Sequence, residues 1–283
     1  MRIDAALERA IEELRPHSES PRIDAELLLA RALDVARSYL FAHPEDVPDE
    51  AAIGRFFDAV ERRKRGVPLA YITGEKEFWS LPLIVTPDTL VPRPETELLV
   101  ELALRHIPRQ GECHVLDLGT GSGAIALAIA SERPNCEVTA TDVSGAALGV
   151  ARENASRLQL ANVSFVQGDW TEPVAGRTFD LVVSNPPYVR HGDPALEALR
   201  HEPPVALSTD DDGLAAIRIL ARDCGALLEP GAPLLLEHGI DQADEVAGIL
   251  EEHGWSGIEC HNDLTGRPRA TVSYRSPHRP FVS

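Results

Sequence analysis

Val115-Leu116-Asp117-Leu118-Gly119-Thr120-Gly121-Ser122-Gly123 sets the architecture of this chain. A short apolar run enters a glycine-rich turn, and Gly123–Glu132 beyond it reads as a helix. Strand, tight turn and helix open a nucleotide-binding α/β unit. Glycines permit the turn and let a ligand lie against bare backbone. The spacing is G-x-G-x-G, whereas the dinucleotide fingerprint is G-x-G-x-x-G, which argues against NAD. Asp142 follows 23 residues after Gly119, at the end of the next expected strand, Glu137–Val143. An acid there is placed to accept hydrogen bonds from ribose hydroxyls. The competing role is an N-cap for the helix that follows.

Working outward, strands are expected at His114–Leu118, Glu137–Val143, Val163–Gln167, Phe179–Ser184, Pro233–Glu237, Ile258–Leu264 and Ala270–Arg275. Helices are expected at Glu95–His106, Gly123–Glu132, Ala146–Leu158, Leu214–Leu228 and Asp241–His253. Alternation of this kind specifies an α/β fold with a doubly wound, seven-stranded and mainly parallel sheet. The last two strands are too close for a helical crossover, so they form a C-terminal antiparallel hairpin.

The first part of the chain reads as helices. Ile3, Leu7, Ile11 and Leu14 follow a helical period. Ser20-Pro21 reads as an N-cap with proline at the first helical position. A third helix runs from Asp49 to Arg65 and ends in the basic run Arg62-Arg63-Lys64-Arg65. Cations at a helix C-terminus suit its dipole; contact with an RNA-bearing or acidic partner is the alternative. Tyr71–Gly74 and Phe78–Val85 suggest a β-hairpin with Gly74 near the turn. The expected domains are therefore a small helical domain over 1–66, a hairpin linker over 67–92 and a third region over 93–283.

Composition excludes several classes. The 283 residues carry 27 Lys/Arg against 45 Asp/Glu, a formal charge of −18. Residues 1–86 hold 12 basic and 16 acidic side chains, so most of the excess acid lies beyond them. A polynucleotide grip calls for a basic patch, because counterion release drives binding. Direct nucleic-acid binding is not expected. Cys113, Cys136, Cys224 and Cys260 form no C-x-x-C pair, so no metal and no disulfide framework is expected. Four free thiols in or near the core remain. There is no secretory h-region and no membrane-spanning run, which makes the cytoplasm the default location.

Two further groups sit at expected strand ends. Asp169-Trp170 follows the third strand and faces the ligand crevice, where Trp170 can lie on a purine or cover the core edge. Asn185-Pro186-Pro187-Tyr188 follows the fourth. Two prolines fix the backbone and remove two N–H donors. The Asn185 amide oxygen and the neighbouring carbonyls are then free to accept from an incoming NH2 group, with Tyr188 as an aromatic wall. Val189–Asp212, long and rich in Pro, Glu and Asp, reads as a lid over that group.

D-L-G-T-G-S-G, Asp142, Asp169-Trp170 and N-P-P-Y together resemble class I S-adenosylmethionine-dependent methyltransferases acting on planar nitrogen. Over residues 1–276 the chain is similar to the release-factor glutamine methyltransferase family, HemK/PrmC. The helical N-terminal domain, Tyr71-Ile72-Thr73-Gly74, Pro92-Arg93-Pro94-Glu95-Thr96-Glu97 and Gly266-Arg267-Pro268-Arg269 also carry the likeness. Glu237-His238-Gly239 departs from it, since the family tends to have an apolar residue in the middle, and the site residues are expected elsewhere.

The resemblance implies methylation of the N5 side-chain amide of the glutamine in the G-G-Q motif of peptide-chain release factors. It implies S-adenosylmethionine as cofactor, leaving as S-adenosylhomocysteine, held by Gly119, Thr120, Gly121, Ser122, Gly123, Asp142, Asp169, Trp170 and Asn185. It implies catalytic roles for Asn185, Pro186 and Tyr188, with Pro187 completing the substrate site, and docking of the substrate protein on residues 1–66. Glutamine methylation of a ribosomal protein is the nearest alternative. Adenine-N6 methylation of nucleic acid uses the same N-P-P-Y logic but conflicts with the charge. A non-catalytic cofactor-binding module conflicts with the intact loop and N-P-P-Y.

Overall fold

The structure is a computed structural model and describes residues 1–208 and 212–276. The chain divides into two compact units, Met1–Glu75 and Lys76–Ser283.

The first unit holds α1 (Ile3–Leu14), α2 (Pro21–Leu33), α3 (Arg37–Ala42), α4 (Glu50–Lys64) and α5 (Leu69–Thr73). The apolar stripe of α1 faces inward: Ile3, Ala6, Ala10 and Leu14 are buried with Leu28, Leu29, Leu40, Phe56 and Val60. Pro21 occupies the first turn of α2, and the Ser20 hydroxyl donates to Asp24 rather than capping the helix. The basic run is largely committed within the unit. Arg63 pairs with Asp24 at 2.7 Å, and Lys64 pairs with Glu61 and Glu13.

The hairpin lies later than the sequence suggested. Tyr71, Ile72 and Thr73 belong to α5, and Gly74 ends that helix in the left-handed conformation (φ 80°). A glycine two residues past an apolar pair serves a helix C-cap as well as a turn. The hairpin strands are β1 (Glu75–Phe78) and β2 (Leu81–Ile84). Their turn is Trp79-Ser80, both at positive φ (52° and 59°), a conformation usually left to Asn-Gly. Two carboxylates hold it in place. Glu97 accepts from the Trp79 backbone N–H at 2.8 Å, and Glu132 accepts from the indole N–H at 2.9 Å.

The second unit is built on α6 (Glu97–His106), β3 (Cys113–Leu118), α7 (Ala124–Glu132), β4 (Cys136–Asp142), α8 (Gly145–Arg157), β5 (Val163–Gln167) and β6 (Leu181–Ser184). Then come α9 (Ala195–Ala198), α10 (Ala215–Asp223), β7 (Pro233–Glu237), α11 (Ala243–Glu252), β8 (Trp255–Asn262) and β9 (Pro268–Arg275). The seven-stranded sheet runs β5-β4-β3-β6-β7-β9-β8. The first five strands are parallel; β9 lies antiparallel between β7 and β8. The order reverses at β3, and ligands of such sheets bind at the carboxyl ends beside that reversal. Helix α7 is apolar on every side, with Ala124–Ala130 all buried between α6 and the sheet.

Asn154 ties the hairpin to this sheet. It is fully buried in α8, an unfavourable place for an asparagine unless its amide is used. Its Oδ1 accepts from the Ile84 N–H at 2.7 Å, and its Nδ2 donates to the carbonyls of Ile84 and Ser122 at 3.0 Å each. Ser122 belongs to the glycine-rich turn. One side chain thus fixes that turn and β2 together.

Cys113 and Cys136 are register partners on β3 and β4, with sulfurs 2.8 Å apart. They and Cys224 are buried; Cys260 is exposed on β8. No group of His, Cys, Asp and Glu among the described residues is placed to hold a metal ion. No helix among them is long and apolar enough to cross a membrane.

Asn154→Ala strands three backbone groups at once. It is expected to lower unfolding free energy by about 2–3 kcal/mol, read from urea denaturation. A loss under 0.5 kcal/mol would show that water replaces the amide at no cost.

Candidate active site

The sequence-predicted groups meet along one edge, the carboxyl ends of β3, β4, β5 and β6. After β3 the chain turns through Gly119, Gly121 and Gly123, all at positive φ. Gly119 and Gly123 serve different needs. A Cβ on Gly123 would stand 3.0 Å from Leu127 and 3.2 Å from Ala151, so packing of α7 against α8 requires glycine. A Cβ on Gly119 would meet only the Trp170 ring, at 3.7 Å. That face is open to a ligand.

The turn is pinned from beneath by Asp117, which is fully buried. Its Oδ2 accepts from the Thr120 hydroxyl at 2.6 Å and from the Ala126 N–H at 3.2 Å; its Oδ1 has no partner among the described residues. Burial pushes its pKa up to about 7, against the pull of these donors. Thr120 and Ser122 are both buried, so this turn offers a ligand its backbone and not these side chains.

Asp142 is half-buried and does not cap α8; Ser144 does, accepting from the Ala147 N–H. The Asp142 carboxylate accepts from the Gly121 N–H at 2.9 Å and the Ser144 N–H at 2.8 Å. A carboxylate has about four lone-pair positions, so two remain for ribose hydroxyls. Asp169 is exposed. Trp170 sits at φ 41° and packs partly on the core below β3 and β6 while bordering Gly119. It is core edge on one side and borders the open face of Gly119 on the other.

Ser184 closes β6 with a 2.7 Å hydrogen bond to the Leu118 carbonyl, which sets the start of N-P-P-Y against the start of the glycine turn. Pro186 is buried; Asn185, Pro187 and Tyr188 are half-buried. Asn185 Nδ2 donates to Thr96 Oγ1 at 3.2 Å, which leaves the amide oxygen free as an acceptor. The Tyr188 phenol donates to Glu237 Oε1 at 3.0 Å, and the Tyr188 carbonyl accepts from Gln242 Nε2 at 3.1 Å. Gly213, at φ +76°, makes room for that carbonyl; a Cβ there would stand 2.3 Å from it.

Glu237 therefore belongs to the site, contrary to the expectation that the site residues avoid Glu237-His238-Gly239. An acid ending the apolar strand Pro233–Glu237 at the ligand edge was the available signal. Burial raises its pKa to about 6, opposed by the nearby Thr96 hydroxyl, by the Tyr188 hydrogen bond and by the Arg269 charge. Burial and the Glu237 charge together raise the Tyr188 pKa. His238 points away from this cluster. Its Nδ1 donates to the Gly239 carbonyl and its Nε2 hydrogen-bonds the Thr271 hydroxyl; burial lowers its pKa, which favours the neutral ring.

The segment after Tyr188 folds back on itself, with Val189 bridged to Ser208. Glu202, 4% exposed, accepts from the Val91 N–H at 3.0 Å and pairs with Arg93. The expected lid is anchored there; its residues 209–211 lie outside the described residues.

Asp117 gives a test by pH. Its raised pKa contributes stability below about pH 4 that is lost as pH rises through about 7. Asp117→Asn does not titrate. Its stability relative to the parent is expected to improve by about 2 kcal/mol between pH 5 and pH 8 in urea denaturation. Parallel pH profiles would overturn the buried-acid assignment.

Comparison with known proteins gives the family. The family described as PrmC N-terminal domain matches residues 5–74, and the one described as methyltransferase small domain matches residues 95–207. The chain is 44% identical over 273 residues to the release factor glutamine methyltransferase of Coxiella burnetii, covering 96% of this chain and 99% of that one. It is 51% identical over 254 residues to the protein of the same name from Xylella fastidiosa, covering 89% and 92%. A methyltransferase from Pyrococcus furiosus shares the fold of the second unit, with a TM-score of 0.53 at 22% identity over 69% of this chain and 89% of that one. With relatives this similar over nearly its whole length, the chain belongs to the release factor glutamine methyltransferase family.

Proposed function

We propose that this protein transfers a methyl group from S-adenosylmethionine to the N5 side-chain amide of the glutamine in the G-G-Q motif of peptide-chain release factors. The observation that carries the nitrogen chemistry is the orientation of Asn185, whose Nδ2 is taken by Thr96 and whose Oδ1 is left to accept. Its position directly after β6, level with the glycine turn, supports the same reading. The names of relatives at 44% and 51% identity support the substrate class.

The cofactor residues fit the group. Gly119 leaves a bare face beside Trp170, and Asp142 keeps lone pairs for ribose. S-adenosylmethionine supplies a sulfonium methyl as electrophile. Gly119, Thr120, Gly121, Ser122 and Gly123 contribute backbone; Asp142 holds the ribose; Asp169 and Trp170 border the base.

A carboxamide nitrogen is planar and weakly nucleophilic, so positioning and charge stabilisation must do most of the work. Its two N–H groups are held by Asn185 Oδ1 and the Pro186 carbonyl. Tyr188 and Pro187 wall the side chain, and positive charge growing on nitrogen meets these acceptors. The amide nitrogen would gain the methyl carbon as the sulfonium C–S bond breaks, with S-adenosylhomocysteine as the leaving group, and would give up one proton to solvent. Residues 93–283 carry this chemistry, 67–92 link, and residues 1–66 dock the substrate protein. Residues 189–208 cover the glutamine. With charge −18, a protein substrate suits the surface better than a polynucleotide. A substrate that works in translation supports a cytoplasmic location for the enzyme.

Incubation with labelled S-adenosylmethionine and, separately, release factor, ribosomal proteins and DNA tests the substrate. Label is expected on release factor; label on DNA or ribosomal protein alone overturns the reading. Asn185→Ala is expected to lower kcat by about 10²–10³ while the cofactor Kd stays within about twofold. Asp142→Ala is expected to weaken cofactor binding by about tenfold in calorimetry. An unchanged Kd would remove the ribose assignment.

A further inference from the structure

Asn185-Pro186-Pro187-Tyr188 is held at both ends by segments distant in the chain. At its start, Asn185 Nδ2 donates to Thr96 Oγ1 at 3.2 Å. Just past its end, the Val189 N–H donates to the Leu207 carbonyl at 3.0 Å. Thr96 closes residues 91–96, and Leu207 closes residues 202–207. Glu202 joins these two segments. One oxygen of its carboxylate accepts from the Val91 N–H at 3.0 Å, and the other accepts from the Arg93 guanidinium. The contacts close a ring through Asn185, Thr96, Arg93, Glu202, Leu207 and Tyr188.

The ring is stiff. Each of its three arcs contains two prolines: Pro92 and Pro94, Pro186 and Pro187, Pro203 and Pro204. Proline fixes its own φ and disfavours helical backbone in the residue before it. Arg93, between two prolines, is extended at φ −97° and ψ 142°. Pro203, which precedes another proline, is extended at φ −64° and ψ 123°. The Thr96 N–H donates to the Arg93 carbonyl at 3.1 Å, and the Leu207 N–H donates to the Pro204 carbonyl at 3.1 Å, so both outer arcs end in closed turns. Such arcs pass a displacement on instead of absorbing it.

We infer that Glu202 is a positioning residue for methyl transfer: by closing this ring it places the covering segment and the Asn185 acceptor as one unit. This deepens the proposed function. It rests on Asn185 as the acceptor for the substrate N–H and on residues 189–208 as the cover of the glutamine. The effect of Glu202 on Asn185 runs through Arg93 and Thr96; its effect on Tyr188 runs through Leu207 and Val189. An acid suits this role. Glu202 is 4% exposed, and burying a carboxylate is costly where an apolar residue would tether a segment at less expense. Its two oxygens take two oriented donors at once. One is the backbone N–H of Val91, a buried residue whose donor needs a partner. The acid thus sets direction as well as distance, which apolar contacts do not.

Steady-state kinetics with release factor and S-adenosylmethionine on Glu202→Gln, Thr96→Val and the double variant tests this. At saturating release factor each single change is expected to lower kcat about tenfold or more, with the cofactor Kd within about twofold. The double variant should be no worse than the worse single one, because both open the same ring. Thr96→Ser should recover most of what Thr96→Val loses. A tether that serves stability alone would lower the Tm of Glu202→Gln and leave kcat intact. A contact that serves docking alone would raise the KM for release factor and leave kcat intact. Either result, or kcat losses that multiply in the double variant, would overturn the inference. Should Glu202→Gln fail to fold, Arg93→Met takes its place in the same cycle, since the Arg93 side chain is 34% exposed, and the same results decide. Asn185→Ala separates the two levels. If it transfers normally, the site reading itself fails; if it is inactive while Glu202→Gln runs at full rate, only the role of Glu202 fails.

Discussion

The buried carboxylate of Asp117 binds both sides of the turn after β3. Through one oxygen it holds the Thr120 hydroxyl before the bend and the Ala126 N–H after it. The bend fixes where α7 starts, and α7, buried from Ala124 to Ala130, is the helix on which α6 and the sheet pack. It also sets the open face of Gly119 beside Trp170. A buried acid is a costly anchor. A hydroxyl and a backbone N–H offset part of that cost, and the remainder shows in a pKa near 7.

Around this bend, segments far apart in sequence are joined by side-chain amides and acids as well as by apolar packing. Asn154 joins α8, β2 and the bend. Glu97 and Glu132 hold the strained Trp79-Ser80 turn. Glu202 joins the segment after N-P-P-Y to Val91 and Arg93. Gln242 bridges the Tyr188 carbonyl and the Gly239 N–H. Hydrogen bonds have direction where apolar contacts have none. A site that must present acceptors to one planar group benefits from supports that are themselves oriented.

Much of this was legible in the sequence because it is local. The glycine turn, Asp142, Asp169-Trp170 and N-P-P-Y each declare themselves within a few residues of a strand end, and strand alternation gave the sheet. What escaped is what depends on partners distant in the chain. Tyr188 and Glu237 are 49 positions apart, and only the β6–β7 register brings the phenol within reach of the acid. Asn154 looks like an ordinary helix-surface residue until Ile84 and Ser122 are seen to need it. Gly74 was ambiguous for a physical reason, since a helix C-cap and a hairpin turn both ask for positive φ. The basic run Arg62–Arg65 looked available for an acidic partner because Asp24 and Glu13, which pair with Arg63 and Lys64, come from α2 and α1.

The placement of β9 between β7 and β8 has a consequence for the order in which the molecule can be assembled during synthesis. β7 is complete at residue 237 and β8 at 262, yet the neighbour of both is residues 268–275. Until those residues leave the ribosome, β7 carries an open edge of unpaired backbone, the kind of surface that recruits wrong partners. The same late strand delivers Arg269, whose Nη1 lies 3.4 Å from the Tyr188 hydroxyl. Closing the sheet and furnishing the cation beside the phenol are thus one event, and a nascent chain that has not sealed its edge lacks part of its site as well.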